Sequence, residues 1–403
     1  MTKIRNIVKI CAVVCGAAIF ATAFAACGGD DKEPVSSKKT HDPVTLEVTG
    51  SPGTYEAHNF VDGKCTMCDE TTIFTQDSVG KADIVTQECD QKGTIARIEY
   101  TTDAYKDSDW QYVGEDGLVT KHAYVYTPYG YDASDTSMKY DVLYLMHGMT
   151  LNEDYWFAMG KEEEGSQFYP TAGVYQGFNG TANMLDTMMK NGTAKKTIIV
   201  TPTFYLPGED GKTLSTDESM NAGVAGIGDE LVNDLMPKIA KEYNTYADVA
   251  ADADAATVDA ALKANRAHQG YAGLSMGSAI SFTTIWTSCL DYFAYIGSYS
   301  GATTVENAQQ IAEAANTTYK NDKIGYWYVG LGSIEKDGMD YPGDPLGCYR
   351  TMLAGIDGLQ SGSDLSAGDN CQFVKCNNTG HNYQSWITAL HNSMMVFFQA
   401  DLA

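Results

Sequence analysis

Basic residues are scarce in this chain: 27 Lys and Arg stand against 52 Asp and Glu, a formal charge of −25 over 403 residues. So acidic a surface disfavours nucleic acid and other anionic polymers as partners and suits neutral ligands and solubility. Beyond residue 26 no apolar run is long enough to cross a bilayer. There is no internal repeat of the kind that builds solenoids or arrays. From residue 91 onward the chain has no P-loop, no dinucleotide fingerprint and no metal-ligand set. Chemistry in that part is therefore expected to need no cofactor.

What the N-terminus does have is an export signal. Lys3, Arg5 and Lys9 precede the apolar run Ile10–Ala26, which ends in small residues. Phe24-Ala-Ala-Cys27 resembles a bacterial lipobox, with Cys27 as the first mature, lipidated residue. Residues 28–43 then form a polar spacer that would tether the protein to the outer face of a membrane, or the protein is secreted. Removal of residues 1–26 takes away three basic groups and no acid, which makes the mature chain more acidic still. The length after the spacer suits one large α/β domain plus a small appendage.

Residues 44–90 are read as that appendage. His58-Asn-Phe-Val-Asp-Gly-Lys-Cys65-Thr-Met-Cys68 is a Cys-x-x-Cys turn with an upstream histidine. Two thiolates and an imidazole suit tetrahedral zinc in a structural role, with Cys89 or His41 as the fourth ligand. The stretch resembles short His/Cys knuckles of Gram-positive surface proteins. A Cys65–Cys68 disulfide or an unmetallated turn are the competing readings. Once Cys11, Cys15 and Cys27 are set aside, seven cysteines remain, and an odd number cannot all pair within the chain. Cys289 reads as a buried apolar filler. Cys348 with Cys371 or Cys376 is a candidate disulfide.

Residues 91–403 are organised around Gly273-Leu-Ser275-Met-Gly277, a G-x-S-x-G nucleophile elbow between a short apolar run and a segment with helical apolar spacing. Alternation predicts a hairpin of Thr94–Tyr100 with His122–Thr127, turning at Glu115-Asp-Gly117. Near-continuous apolar runs predict buried strands at Tyr140–Met146, Thr197–Val200, Tyr292–Tyr299 and Ile324–Leu331, with a short one at Gln372–Lys375. Ile227, Leu231, Leu235 and Ile239 mark a helix over Ile227–Tyr243, kinked at Pro237. Ala247–Ala264 reads as a surface insertion with a short helix, and Ser385–Gln399 as a closing helix. Strands alternating with helices give a doubly wound, mainly parallel sheet, whose ligands bind at the carboxyl ends of the strands.

Tyr124–Tyr131, Val142–Gly148, Asp234–Ile239, Arg266–Gly277 and Gly380–Trp386 occur in the order seen in carbohydrate esterase family one. The resemblance covers about three quarters of the chain. It implies an α/β-hydrolase fold and an esterase of the feruloyl or acetyl xylan type. Ser275 is then the nucleophile and His381, in Gly380-His-Asn, the base that follows the acid in hydrolase order. Where the family shows Gly-Thr/Ser-x-Asp, this chain reads Gly332-Ser-Ile-Glu335-Lys-Asp337-Gly-Met-Asp340. Asp337 is preferred as the acid if two residues are inserted, with Glu335 next and Asp340 third. The backbone amides of Met149 and Met276 are nominated for the oxyanion hole, with His147 shaping that loop. His268 reads as structural, and His391 as packed or on the surface. Trp156, Tyr299 and Trp386 are candidates to stack on an aromatic acyl group or a sugar, although ordinary packing accounts for them equally well.

The expectation is a surface-tethered or secreted serine esterase that removes acyl groups, feruloyl above all, from plant cell-wall xylan or its oligosaccharides. An acetyl xylan esterase or general carboxylesterase of the same fold is the alternative. A catalytically silent carbohydrate-binding surface protein is the rival from another class.

Overall fold

The computed structural model describes residues 60–61, 64–65, 73–157, 174–175, 178–335 and 344–399. Strands β1 (Ile73–Asp77), β2 (Thr94–Thr102), β3 (Val119–Thr127), β4 (Asp141–Met146), β5 (Thr197–Thr201), β6 (Gln269–Leu274), β7 (Tyr295–Tyr299), β8 (Tyr326–Gly332) and β9 (Cys371–Asn377) form one sheet. Their order across it is β1-β9-β8-β7-β6-β4-β5-β3-β2. β3 runs antiparallel to β2 and β5, and every other pairing is parallel. The helices cover both faces, so a central strand must be apolar all round. β4 is the clearest case. Val142, Tyr144 and Met146 enter one core and Leu143 and Leu145 the other.

The chain leaves β4 toward β5 on one side and returns to place β6 on the other. That reversal opens a crevice at the carboxyl ends of β4 and β6, the position where doubly wound sheets bind ligands. All six positions of β6 are buried, and the pairing of Gly273 with Met146 brings the two strand ends level.

The stripe Ile227, Leu231, Leu235 and Ile239 is fully buried. It lies on helix Asp217–Glu230, a π-helical turn Leu231–Leu235 and helix Met236–Glu242. The expected effect of Pro237 takes the form of that π turn: Pro237 sits at the head of the following helix, where its missing N–H costs least.

Two expectations are corrected here. The sheet takes in Ile73–Asp77, which pairs with β9 residues about 300 positions downstream, so the stretch from Ile73 to Asp90 belongs to the sheet domain rather than to the small module. A five-residue edge strand carries too little periodicity to be seen in sequence, and its partner is remote. Second, Cys348, Cys371 and Cys376 are free buried thiols, as are Cys89 and Cys289. Cys348 Sγ donates to the Thr303 carbonyl, and Cys371 lies beside the Tyr349 hydroxyl.

Of the appendage, Phe60–Val61 pairs antiparallel with Lys64–Cys65. His41, His58 and Cys68 lie outside the described residues, as do the signal segment and Cys27. Among the described residues no helix is long and apolar enough to cross a membrane.

Candidate active site

β6 ends at Leu274, and Ser275 follows with φ 52° and ψ −112° before the helix Met276–Ile280 begins. A non-glycine residue rarely adopts such a backbone, and the strain is held by its surroundings. The Ser275 N–H donates to Tyr299 O at the end of β7 (2.8 Å), and the Gly277 N–H to His147 O after β4 (3.1 Å). The two elbow glycines are needed because backbone fills their side-chain space. A β-carbon on Gly273 would meet Gly277 C at 2.5 Å, and one on Gly277 would meet His147 O at 2.6 Å. The sequence reading of this turn, strand then serine then helix, is what the structure has.

Glu335 and His381 come from the two strands beyond β7. Glu335 follows β8, and His381 lies between β9 and helix Tyr383–Val396. His381 Nδ1 is 3.2 Å from Glu335 Oε2. The carboxylate is almost fully buried, and its other oxygen accepts the Gly332 N–H (2.8 Å) and the Ser300 hydroxyl (2.6 Å). A carboxylate facing Nδ1 fixes the proton on that nitrogen and leaves Nε2 as the basic one. The structure brings Glu335 to His381; Asp337 and Asp340 lie outside the described residues. Ser300, with φ 51°, is a member of this cluster that sequence reasoning missed. Its only signal was its place directly after a predicted strand.

On the other side of Ser275 stands the loop after β4. A β-carbon on Gly148 would lie 3.0 Å from Ser275 Cβ, so this backbone touches the nucleophile. His147 is buried, with Nδ1 2.7 Å from Gly148 O and Nε2 2.7 Å from Thr203 Oγ1. Burial pulls its pKa down to about 3, so the ring is neutral. Phe204 and Tyr205 flank it, and the Tyr205 hydroxyl accepts the Thr150 N–H at 2.9 Å. The backbone amides of Met149 and Met276 thus sit in segments that converge on Ser275. Thr203 and Tyr205 are further members the sequence did not single out.

The aromatic candidates are corrected. Trp156 and Tyr299 have no exposed surface and Trp386 has 3%. Trp156 Nε1 donates to Met146 O, and the Tyr299 hydroxyl to Ser393 Oγ. Trp386 stands perpendicular to the His381 ring at 5.1 Å between centroids. Sequence can place a residue on a loop near the crevice, but not the direction of its side chain. His268 pairs with Asp141 at the opposite, amino end of the sheet. His391 is half-buried in the closing helix and contacts Asn392.

Of the metal candidates, Cys89 is buried in the sheet domain, its N–H donating to Asn183 and its thiol 3.9 Å from Asp90. Cys65 lies in the short hairpin, and among the described residues no three His, Cys, Asp or Glu groups could hold a metal.

No protein-family model matches the chain. Endo-1,4-beta-xylanase Y of Acetivibrio thermocellus is 29% identical over 250 residues, 61% of this chain. The match spans only 18% of that xylanase. A serine-to-alanine variant of the feruloyl esterase module from Clostridium thermocellum, complexed with sinapinate, superposes with a TM-score of 0.57. It is 24% identical, covering 81% of this chain and 95% of its own. The ferulic acid esterase AmCE1/Fae1A of Anaeromyces mucronatus gives a TM-score of 0.50 at 17% identity, over 80% of this chain and 98% of its own. The chain has the α/β-hydrolase fold, which it shares with these esterase structures.

Proposed function

We propose that the chain is a serine carboxylic ester hydrolase acting on plant cell-wall esters, with feruloyl groups on xylan as its first substrate class. The observation that carries this reading is the His381–Glu335 pair, at the same carboxyl end of the sheet as a strained Ser275. Ser275 Oγ attacks the ester carbonyl while His381 Nε2 takes its proton. The tetrahedral oxyanion is held by the amides of Met149 and Met276. The C–O bond breaks, the sugar alcohol leaves with the proton from His381, and an acyl group remains on Ser275. Water, deprotonated by His381, then releases the carboxylic acid and restores the serine. Glu335 orients the imidazole and stabilises its cation.

The relatives support the cell-wall class, and an acetyl xylan esterase shares the same machinery. Hydrolysis of methyl ferulate, acetylated xylan and a short-chain aryl ester by the purified protein separates the two. Turnover of the aryl ester alone would remove the cell-wall assignment, and failure on all three would remove the esterase reading.

For the exported state we propose that Cys27 carries lipid and that residues 28–43 are the tether. Mass spectrometry of the mature N-terminus tests this, and an unmodified N-terminus elsewhere would refute it. The knuckle of His58, Cys65 and Cys68 is proposed as a structural zinc site. Metal analysis of the whole protein should find one zinc, lost in the Cys65→Ser/Cys68→Ser variant with esterase activity retained. A metal-free parent protein would dispose of the site.

A further inference from the structure

A set of buried polar groups that the reaction itself does not use converges on Thr203. Lys121 on β3 and Glu230 at the end of helix Asp217–Glu230 form an ion pair at 2.6 Å with almost no exposed surface. Glu230 also accepts the hydroxyls of Tyr100 and Tyr105. Lys121 Nζ spends a second donor on the Thr203 carbonyl at 2.7 Å. An ion pair this buried gives no general stability advantage over apolar residues of the same volume. Its placement calls for another reason.

That reason lies on the other side of Thr203. Its hydroxyl oxygen accepts the Tyr205 N–H at 3.1 Å and lies 2.7 Å from His147 Nε2. Because His147 Nδ1 faces a carbonyl, Nδ1 must carry the proton, and Nε2 is then an acceptor. The Thr203 hydroxyl therefore donates to it, so every proton in the chain of contacts has one place. His147 in turn donates to Gly148 O at 2.7 Å. A trans peptide is planar, with its C=O and N–H opposed. Turning Gly148 O onto the imidazole aims the Met149 N–H away from it. The next amide, of Thr150, is fixed by the Tyr205 hydroxyl, with Thr150 at φ 67°.

We propose that the buried Lys121–Glu230 pair is a positioning device for the oxyanion donor at Met149, acting through Thr203 and His147. The proposal rests on the esterase reading above, since it needs an oxyanion hole to act on. Lys121, Glu230 and Thr203 are positioning residues and touch no substrate.

The test uses the whole protein and three variants. Thr203→Val removes the hydroxyl and keeps the shape, Thr203→Ser restores the hydroxyl, and Lys121→Met/Glu230→Leu removes both charges together so that neither is stranded. Thr203→Val should lower kcat about 10- to 100-fold, a fraction of what a lost oxyanion donor costs, with KM within about twofold. Thr203→Ser should return kcat to within about threefold of the parent. An arylboronic acid, which forms a tetrahedral adduct on a reactive serine, should bind Thr203→Val more weakly by the factor that kcat falls, while free ferulate binds unchanged. The charge-pair variant should lose about tenfold in kcat, and little further when Thr203→Val is added, because the two act in one line. If folded Thr203→Val keeps parental kcat and boronate affinity, or if the two losses multiply, the relay is wrong. Should the charge-pair variant fail to fold, the Thr203 series still decides. If the parent hydrolyses esters and Ser275→Ala does not, a null result at Thr203 rejects the relay alone. A folded parent without ester hydrolysis rejects the esterase reading, and the relay with it.

Discussion

His147 and His381 both follow strands of the same sheet, at the carboxyl end where Ser275 stands, yet their surroundings suit opposite tasks. His147 is buried, each nitrogen committed to a neutral partner, and burial pulls its pKa down to about 3. His381 has 28% of its side chain exposed and sets Nδ1 against a buried carboxylate. A carbonyl and a hydroxyl fix one tautomer, but neither carries the charge needed to offset what burial takes from a cation. A carboxylate fixes the tautomer and also stabilises the imidazolium that forms when the ring accepts a proton. The role of each histidine is set by its partner, not by its place at a strand end.

Removing the base side should therefore be the most damaging change. Ser275→Ala and His381→Ala are each expected to lower kcat by a factor on the order of 10⁵–10⁶, and the double variant should be little worse than either, because the members act as a unit. Steady-state assays on methyl ferulate check this. Appreciable turnover by Ser275→Ala would break the comparison at its root. Next in size is the acid. Glu335→Gln should cost a factor on the order of 10⁴, since an amide holds the ring in the wrong tautomer. Asp337→Asn should stay within about tenfold, as expected of a charge that only shifts a neighbouring pKa by about a unit. The reverse ranking would return the acid to Asp337.

The acid is also where reading the sequence stopped short. The placement of Ser275 was legible because its glycine spacing is one that few folds tolerate, and that of His381 and of the loop after β4 because each follows an apolar strand run. The central strands were legible because burial on both faces writes itself as an unbroken apolar run, as in Asp141–Met146. The acid was not, because three carboxylates within six residues differ only in where the loop turns them, and loop geometry has no periodicity. Spacing alone pointed to Glu335; the assumption of two inserted residues moved the preference to Asp337. Ser300, Thr203 and Tyr205 were invisible for a related reason: their work is done by contacts to residues far away in sequence. The edge strand Ile73–Asp77 was missed because its register is written mostly in its remote partner.

A pH series sharpens the contrast between the histidines. His147 has a folded-state pKa of about 3 against an ordinary value of 6.5. The unfolded chain therefore binds a proton there first as pH falls. The stability that this group contributes is complete above pH 6.5 and is lost progressively as pH falls toward 3, at up to about 1.4 kcal/mol per pH unit. His147→Gln, which cannot charge, should unfold in urea with a shallower acid dependence between pH 6.5 and 4. It should also lose about 10²-fold in kcat at pH 7, the scale of a displaced oxyanion donor. Parallel stability curves for the two proteins would mean that His147 is not buried neutral.

The smallest effect on activity is expected from the tightest histidine–carboxylate pair in the sheet. His268 Nδ1 lies 2.7 Å from Asp141 Oδ1, closer than His381 lies to Glu335. Distance alone would make it the better catalytic dyad. It stands, however, where β4 and β6 begin, with Asp141 opening one and His268 directly before the other. Six strand residues separate it from Ser275, roughly 20 Å at the usual rise. Its ring is capped by Tyr246, and the strained serines among the described residues, Ser275 and Ser300, both lie at the other end of the strands. Asp141 is mostly buried, and burial raises its pKa against the opposing pull of the His268 hydrogen bond. His268→Leu should leave that carboxylate without its imidazole donor, at a cost of about 1–3 kcal/mol in unfolding free energy. Ester turnover at 25 °C should stay within about twofold of the parent, because nothing in the line from Glu335 through His381 to Ser275 has moved. A large loss of kcat in a protein that is still folded would show that the two ends of the sheet are coupled and that His268 matters to the reaction.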